Sequence, residues 1–524
     1  VSAKIALVWP EIWLFITTCV VMVIGLSPDL RVRKLCPWVC ALGLVIAFGT
    51  AVPVEGAGGL FPAITPYAKG LIAAVGLMLL PLLAGTVDRD QDAAIASGRS
   101  GFDALRANRA EFYAFFLFSM TGLMLTASAD DLIWLFLALE LTSLPTYIMV
   151  TISTRGTRSQ EAGVKYFFLG ALGAAVFLYG FALIYGATGS TDLREIASAF
   201  RAQAEAGAIN PIGIAGLTVA IVGLCFKIAA VPMHLYAADV YQGAASGVSA
   251  MLAFVPKAAG FLAIIMLCGA VGWSHGELRD SLPEAIYILL WVIAVATMTV
   301  GNVLAIRQRS VKRMLAYSSV AHSGYMLVGV IAGPGAGTGA FWDNGIAAVL
   351  FYLLTYGVTN VGTFAVLACI ERSTGEEADD IDDIKGLHRT RPHLAAAMLL
   401  CVLSLLGLPP LLGFFGKIGL FTSAIAAGEI PLVIILGVNS AIAAFYYLRI
   451  VRAAYLDPAA DHLELRPSPV RPRVFAAMAS ACSVVLLLAV AQILIERSVL
   501  ASQYRRPDAA IAATPTPVLT SLDD

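Results

Sequence analysis

The stretch Phe226–Lys257 reads FKIAAVPMHLYAADVYQGAASGVSAMLAFVPK, and the rest of the chain is read outward from it. It is apolar enough to lie in lipid, yet it carries Lys227, His234, Asp239 and Lys257, with Pro232 and Pro256 close to the two lysines. A charge inside a membrane span costs about 2.5–3.5 kcal/mol on insertion scales, so such residues point to function. Proline removes an amide donor and interrupts a helix, which a bilayer tolerates only where protein or water satisfies the freed backbone. The stretch therefore implies a membrane protein that handles charge at a helix break.

Composition agrees. Of 524 residues, 59% are hydrophobic and 13% charged, against about 25% charged in a soluble domain. The mean hydropathy is +0.83. A net charge of −1 says nothing about partners. No basic segment or small-residue cleavage site precedes the first apolar stretch, so the first span is expected to be retained. The eight cysteines include no CxxC pair and are expected to pack as small hydrophobes rather than ligate metal or iron–sulfur clusters. No Walker A sequence and no HExxH occurs, and GPGAGTG (Gly333–Gly339) reads as a loop between hydrophobic helices. No redox centre, nucleotide site, bound cofactor or metal is expected in this chain.

About 20 apolar residues make a spanning helix. Fourteen such spans are expected, starting near residues 8, 36, 69, 111, 131, 164, 211, 240, 285, 314, 342, 393, 430 and 474. A polar segment, Asp88–Arg109, separates spans 3 and 4, and Arg372–Arg391, with its acidic run EEADDIDD, separates spans 11 and 12. Residues from Arg505 on read as a flexible tail. With the N-terminus placed outside, the odd-numbered loops hold 23 basic residues against 8 in the even loops and termini. That bias orients the chain with both termini away from the cytoplasm.

Span 7 is broken at Pro232 beside Lys227, and span 12 at Pro409 and Pro410 beside Lys417. The two are five spans apart, so units made of spans 4–8 and 9–13 would place each break in the fourth helix. Five is odd, which inverts the second unit relative to the first, an arrangement found in many ion transporters. The expected organisation is residues 1–110 for spans 1–3 and the polar loop, 111–275 and 276–456 for the two inverted units, and 457–524 for span 14 and the tail.

Glu140 is the one charge in LIWLFLALELTSLPTYIMV and needs a cation, either Lys227 or Lys165. Lys227, Lys257 and Lys417 are the basic residues expected inside spans, in a chain with 9 lysines and 25 arginines. A buried lysine can give up its proton near neutrality and arginine cannot, so this choice favours proton handling over plain charge pairing. His234 and His322 are candidates to pass protons between water and a lysine. Asp239 is expected to cap span 8, Asp130 and Asp131 to cap span 5, and Glu11 and Glu371 to be solvated near span ends.

The segments ELTSLPTYIMV, EAGVKYFFLGALGAAVFLYGFALIYGATGSTDL, FKIAAVPMHLYAADVYQGA, RMLAYSSVAHSGYMLVGV and GLPPLLGFFGK together resemble the antiporter-like membrane subunits of respiratory complex I, the bacterial NADH-quinone oxidoreductase, over about residues 111–450. The resemblance implies fourteen spans in two inverted units, a Glu140–Lys227 pair, Lys257 as the central relay and Lys417 as the distal lysine. M-type subunits usually carry glutamate at the Lys417 position. L-type subunits add a long lateral helix after span 14, for which little chain remains here, so the N type is expected. It further implies proton translocation coupled to quinone reduction in other subunits, with NADH, FMN, iron–sulfur clusters and quinone held there. Subunits M, K and J would be neighbours, in a bacterial cytoplasmic membrane. The alternatives are a subunit of a multisubunit cation/proton antiporter or of a membrane-bound hydrogenase, and a purely structural anchor whose charges only join helices.

Overall fold

A computed structural model describes residues 2–51, 59–99, 101–103, 107–154, 156–273, 282–335, 340–372, 377–458 and 470–504. The end of the Gly-rich loop and the tail from residue 505 lie outside them. Among the described residues the chain is helical. Spans 1–6 are Trp9–Gly25, Cys36–Thr50, Ile64–Leu83, Arg109–Ala127, Leu132–Ile152 and Thr157–Thr188. Span 7 comes in two pieces, Pro211–Leu224 and Ala237–Gly243. Spans 8–11 are Ser246–Val271, Glu284–Ile306, Val311–Ala332 and Gly345–Cys369. Span 12 is also in two pieces, Pro392–Leu406 and Leu412–Ala426, and spans 13 and 14 are Ile430–Tyr455 and Arg471–Ala501.

Capping chemistry sets many of these starts. Asp131 accepts from the amides of Ile133 and Trp134 to begin span 5, and Ser310 and Asn344 do the same for spans 10 and 11. Asn210 followed by Pro211 opens span 7. Spans 8 and 11 are buried along their whole length, as a helix apolar on every side should be in a bundle core. Span 6 turns Phe168, Leu172 and Tyr179 outward, an apolar surface suited to lipid.

The connections alternate between two ends of the bundle. Connections 3, 5, 7 and 11, with the starts of spans 10 and 14, meet at one cavity of about 990 Å³, whose lining includes Asp88, Ser153, Ala244, Lys312, Glu377 and Arg473. At the other end the even-numbered ones touch each other. Leu132 N–H donates to Thr191 O and Leu193 N–H to Asp130 O, joining connections 4 and 6. Trp273 lies against Phe61 and Tyr504 and donates to Val330 O, which joins connections 2, 8 and 10 to the C-terminal end of span 14. Fourteen crossings require this alternation. The two interrupted spans sit five apart, each with a cis X-Pro bond at its break, Val231–Pro232 and Pro409–Pro410.

Several expectations need correction. Span 3 starts at Ile64 rather than near 69, so Lys69 is inside it. Span 8 starts at Ser246, and Asp239 does not cap it; Asp239 lies in the second piece of span 7 and bridges Lys165, 3.0 Å away, and Arg313, 2.5 Å away. Glu11 and Glu371 are buried, not solvated. Glu11 pairs with Lys69, and Glu371 takes hydrogen bonds from Arg89 and Arg473. Polar residues near span ends read as wet because sequence does not reveal the cation that meets them.

The polar segment after span 3 folds back on its own chain. Asp88 accepts from the amides of Asn108 and Arg109, capping span 4, and Asp92 stands between Arg33 and Arg109. The acidic run after span 11 forms a strap across the cavity end. Asp379 accepts from Gln242 and Ser310, Asp382 pairs with Arg309, and Glu377 reaches Ser246 and Lys312.

Candidate functional site

The break in span 7 turns the chain at residues 225–236 and buries Lys227 completely. Its ammonium donates to Glu140 Oε1 at 3.0 Å, Ser143 Oγ at 2.6 Å and Leu139 O at 3.2 Å. All three acceptors belong to span 5, where Glu140 and Ser143 fall on one face, three residues apart. Lys165, the other candidate partner, goes to Glu161 and Asp239 instead. The Glu140 side chain keeps 18% of its surface open while Lys227 has none, so the carboxylate is the member of the pair with room to move.

Span 8 crosses directly behind this break. A Cβ at Gly260 would strike the Lys227 and Ile228 side chains, so glycine there permits the approach. Three residues earlier Lys257, fully buried, donates to Ser319 Oγ at 2.7 Å and to the Ser319 carbonyl, with the Tyr356 ring 4.9 Å away. Ser323, one turn along span 10, donates to Ile228 O in the break. Span 10 thus reaches Lys257 through the Ser319 hydroxyl and the backbone of the span 7 break, next to Lys227, through that of Ser323.

The same span carries the next group. His322 Nδ1 lies 2.6 Å from the Tyr352 hydroxyl and Nε2 lies 2.8 Å from that of Tyr447. Tyr447 in turn meets Ser318 Oγ. Tyr325 accepts from Asn302 at 2.9 Å and places its ring 5.2 Å from the Lys417 ammonium. Lys417 donates across its own break to Leu406 O at 2.9 Å. Among the described residues no carboxylate pairs with Lys257 or Lys417, whereas Lys227 has one. The halves share a broken helix and a lysine but differ in counter-charge.

Glu140, Lys227, Lys257, His322 and Lys417 are thereby placed along one polar string through the bundle, paired directly at Glu140–Lys227 and elsewhere separated by breaks in the hydrogen bonding among the described residues. His234 is not joined to it by any hydrogen bond among the described residues; it lies in the span 7 break, and its Nδ1 has no protein partner there. Sequence reasoning missed the intervening hydroxyls, Ser143, Ser319, Ser323, Tyr325, Tyr352 and Tyr447. A signal existed in SSVAHSGY, where polar side chains recur at helical spacing through an otherwise apolar span.

The profile of the family described as NADH:quinone oxidoreductase/Mrp antiporter, TM matches residues 129–443, which hold every member of that string except Tyr447. A protein of Symbiobacterium thermophilum named NADH-quinone oxidoreductase subunit N 2 is 37% identical over 480 residues, 87% of this chain and 89% of that one. The chain belongs to the subunit N family of NADH-quinone oxidoreductase. A chain of respiratory complex I from Thermus thermophilus, solved with bound aureothin, superposes on this subunit N family member with a TM-score of 0.72 and 30% identity, covering 93% of this chain and 98% of that one. A chain of the Mrp complex from Dietzia superposes with a TM-score of 0.76 at 20% identity, over 97% of this chain and 99% of that one, a likeness of fold. The expected N type agrees with this family.

Proposed function

We propose that the chain is a proton-conducting subunit of the membrane arm of an NADH-quinone oxidoreductase, driven by quinone reduction in other subunits. The observation that carries the reading is the polar string from Glu140 through Lys227, Lys257 and His322 to Lys417, built from groups that give and take protons with hydroxyls set among them. With Glu140 close, the Lys227 ammonium is stabilised. With Glu140 withdrawn, the ammonium is a buried charge without a partner, which costs on the order of several kcal/mol, and passing the proton on removes that cost. Lys257 receives it, and His322 and its tyrosines carry it toward Lys417. His234, beside the first break, is a second inlet candidate.

NADH, FMN, iron–sulfur clusters and quinone belong to partner subunits in this reading, with subunits M, K and J as the neighbours. In this reading the cavity end faces the bacterial cytoplasm and both termini face the far side, which the excess of lysine and arginine in the odd-numbered loops supports. The reading is tested by Lys227→Arg in the reconstituted complex. Arginine keeps the charge and cannot release it. Electron transfer should continue with proton pumping lost or strongly reduced, and full pumping would mean that pairing matters at Lys227 and deprotonation does not.

A further inference from the structure

The cavity end of the bundle holds a set of charges separate from the lysines in the spans. Glu377 reaches down from the strap to the first residue of span 8. Its Oε2 accepts from Ser246 N–H and Ser246 Oγ, each at 2.6 Å, and lies 3.0 Å from Lys312 Nζ. Lys312, at the start of span 10, also donates to Ala244 O at 3.1 Å. These contacts close the floor of the cavity, which both residues line. Ser246 below them is fully buried.

Behind Ser246 lie buried hydroxyl groups, spaced inward toward Lys257 without an unbroken hydrogen-bonded chain among the described residues. Ser249 Oγ donates to Tyr241 O at 2.8 Å, the Tyr241 hydroxyl lies 3.5 Å from Ser319 Oγ, and Ser319 Oγ accepts from Lys257. Every one of these side chains is buried. The cavity is polar and open, the hydroxyl groups are closed off, and the Glu377–Lys312 pair is what stands between them.

We propose that Glu377 and Lys312 form the gate at the cavity end of the path to Lys257, shut by their ion pair and opened when the strap and span 10 part. The proposal rests on the proton-conducting reading above and adds two residues that it does not use. Glu377, on the strap, and Lys312, on span 10, both belong to residues 276–456, and they hold Ser246 and Ala244 of residues 111–275, so a shift between these parts would pull the pair off the entrance to span 8. Acid does not open it, because burial acts to raise the Glu377 carboxyl but Lys312, Arg473 and the Ser246 hydrogen bonds overcome that and hold it down at about 2. Its stabilising contribution is complete above the ordinary carboxylate range and is lost only as pH falls through about 2.

The test measures water access, not pumping. Ser249→Cys puts a thiol of similar size just behind the gate, and its labelling by a membrane-impermeant thiol reagent is followed by peptide mapping in the assembled complex, in vesicles exposing the cavity end. In the otherwise unaltered background labelling should be slow. Adding Glu377→Gln should speed it about tenfold or more, because one partner of a buried ion pair is gone. Lys312→Met leaves the Ser246 cap in place and should do the same, and it decides the matter if the Glu377 variant does not assemble. A labelling rate equal to the parent's in an assembled variant overturns the gate. That outcome is independent of whether Lys257 carries protons, so failure of the gate and failure of the functional reading are separable.

Discussion

Lys69 and Lys227 each hold a carboxylate inside the bundle, at 2.7 Å and 3.0 Å, but in different settings. Lys69 and Glu11 are both almost fully buried. The ammonium also donates to Leu7 O at 2.5 Å, and Ser128 lies 3.4 Å from the carboxylate, so the pair ties spans 1, 3 and 4 together. Nothing in that arrangement has room to move, and it reads as a fastening. Breaking a buried pair by removing one member costs about 3–5 kcal/mol, because the other is left charged and alone. Lys69→Met should therefore lower the thermal unfolding temperature of the purified complex while leaving pumping per electron unchanged in whatever assembles. The double variant with Glu11→Gln should recover part of the loss, and a double variant no more stable than the single one would contradict this reading. Lys227 was legible as a buried charge inside a span because apolar residues flank it on both sides. Lys69 was not, because ITPYAK reads as the polar lead-in to a span, and apolar patterning fixes helix ends only to within a few residues.

The helix breaks depend on close neighbours. Span 7 approaches span 6 through Gly216, Ala220 and Gly223, which meet Gly173, Phe177 and Gly180 at backbone distance. A Cβ at Gly180 would collide with the backbone of Ala220, and one at Gly223 with that of Phe177. Small residues let helices approach closely in a membrane, where van der Waals packing and hydrogen bonds drive association. This contact seats Phe226 and Lys227 where span 5 can reach them. Gly180→Val should push spans 6 and 7 apart and lengthen the Lys227–Glu140 contact, read as reduced assembly and, in what assembles, reduced pumping. Normal pumping would show that the seat of Lys227 does not depend on that packing. Breaks, span count and inverted order were readable from proline positions and apolar runs, which are local. The strap was not readable. EEADDIDD reads only as the acidic run of a polar loop, and its contacts with Ser246, Gln242 and Arg309 join residues far apart in sequence.

Across the whole molecule, one end gathers connections 3, 5, 7 and 11 around a charged cavity, the other gathers the even ones, and the polar string runs between spans in the core. The fold is shared with a chain of the Mrp complex, so fold alone does not distinguish the functions that such chains serve. In the proposed function Glu140 and Lys227 are the pair that switches, Lys257 the junction, His322 with its tyrosines the bridge, and Lys417 the far station. In the proposal Lys257 is the residue on which the rest depend, since it touches span 10 at Ser319 and stands on the helix packed against the first break. It also lacks a carboxylate partner among the described residues, so neutral substitution strands no counter-charge there. The most direct test is therefore Lys257→Ala in the complex reconstituted into vesicles, with proton pumping and NADH-driven quinone reduction measured side by side. The account predicts that electron transfer persists while protons moved per electron fall, and pumping at the unaltered ratio in a fully assembled complex would contradict it.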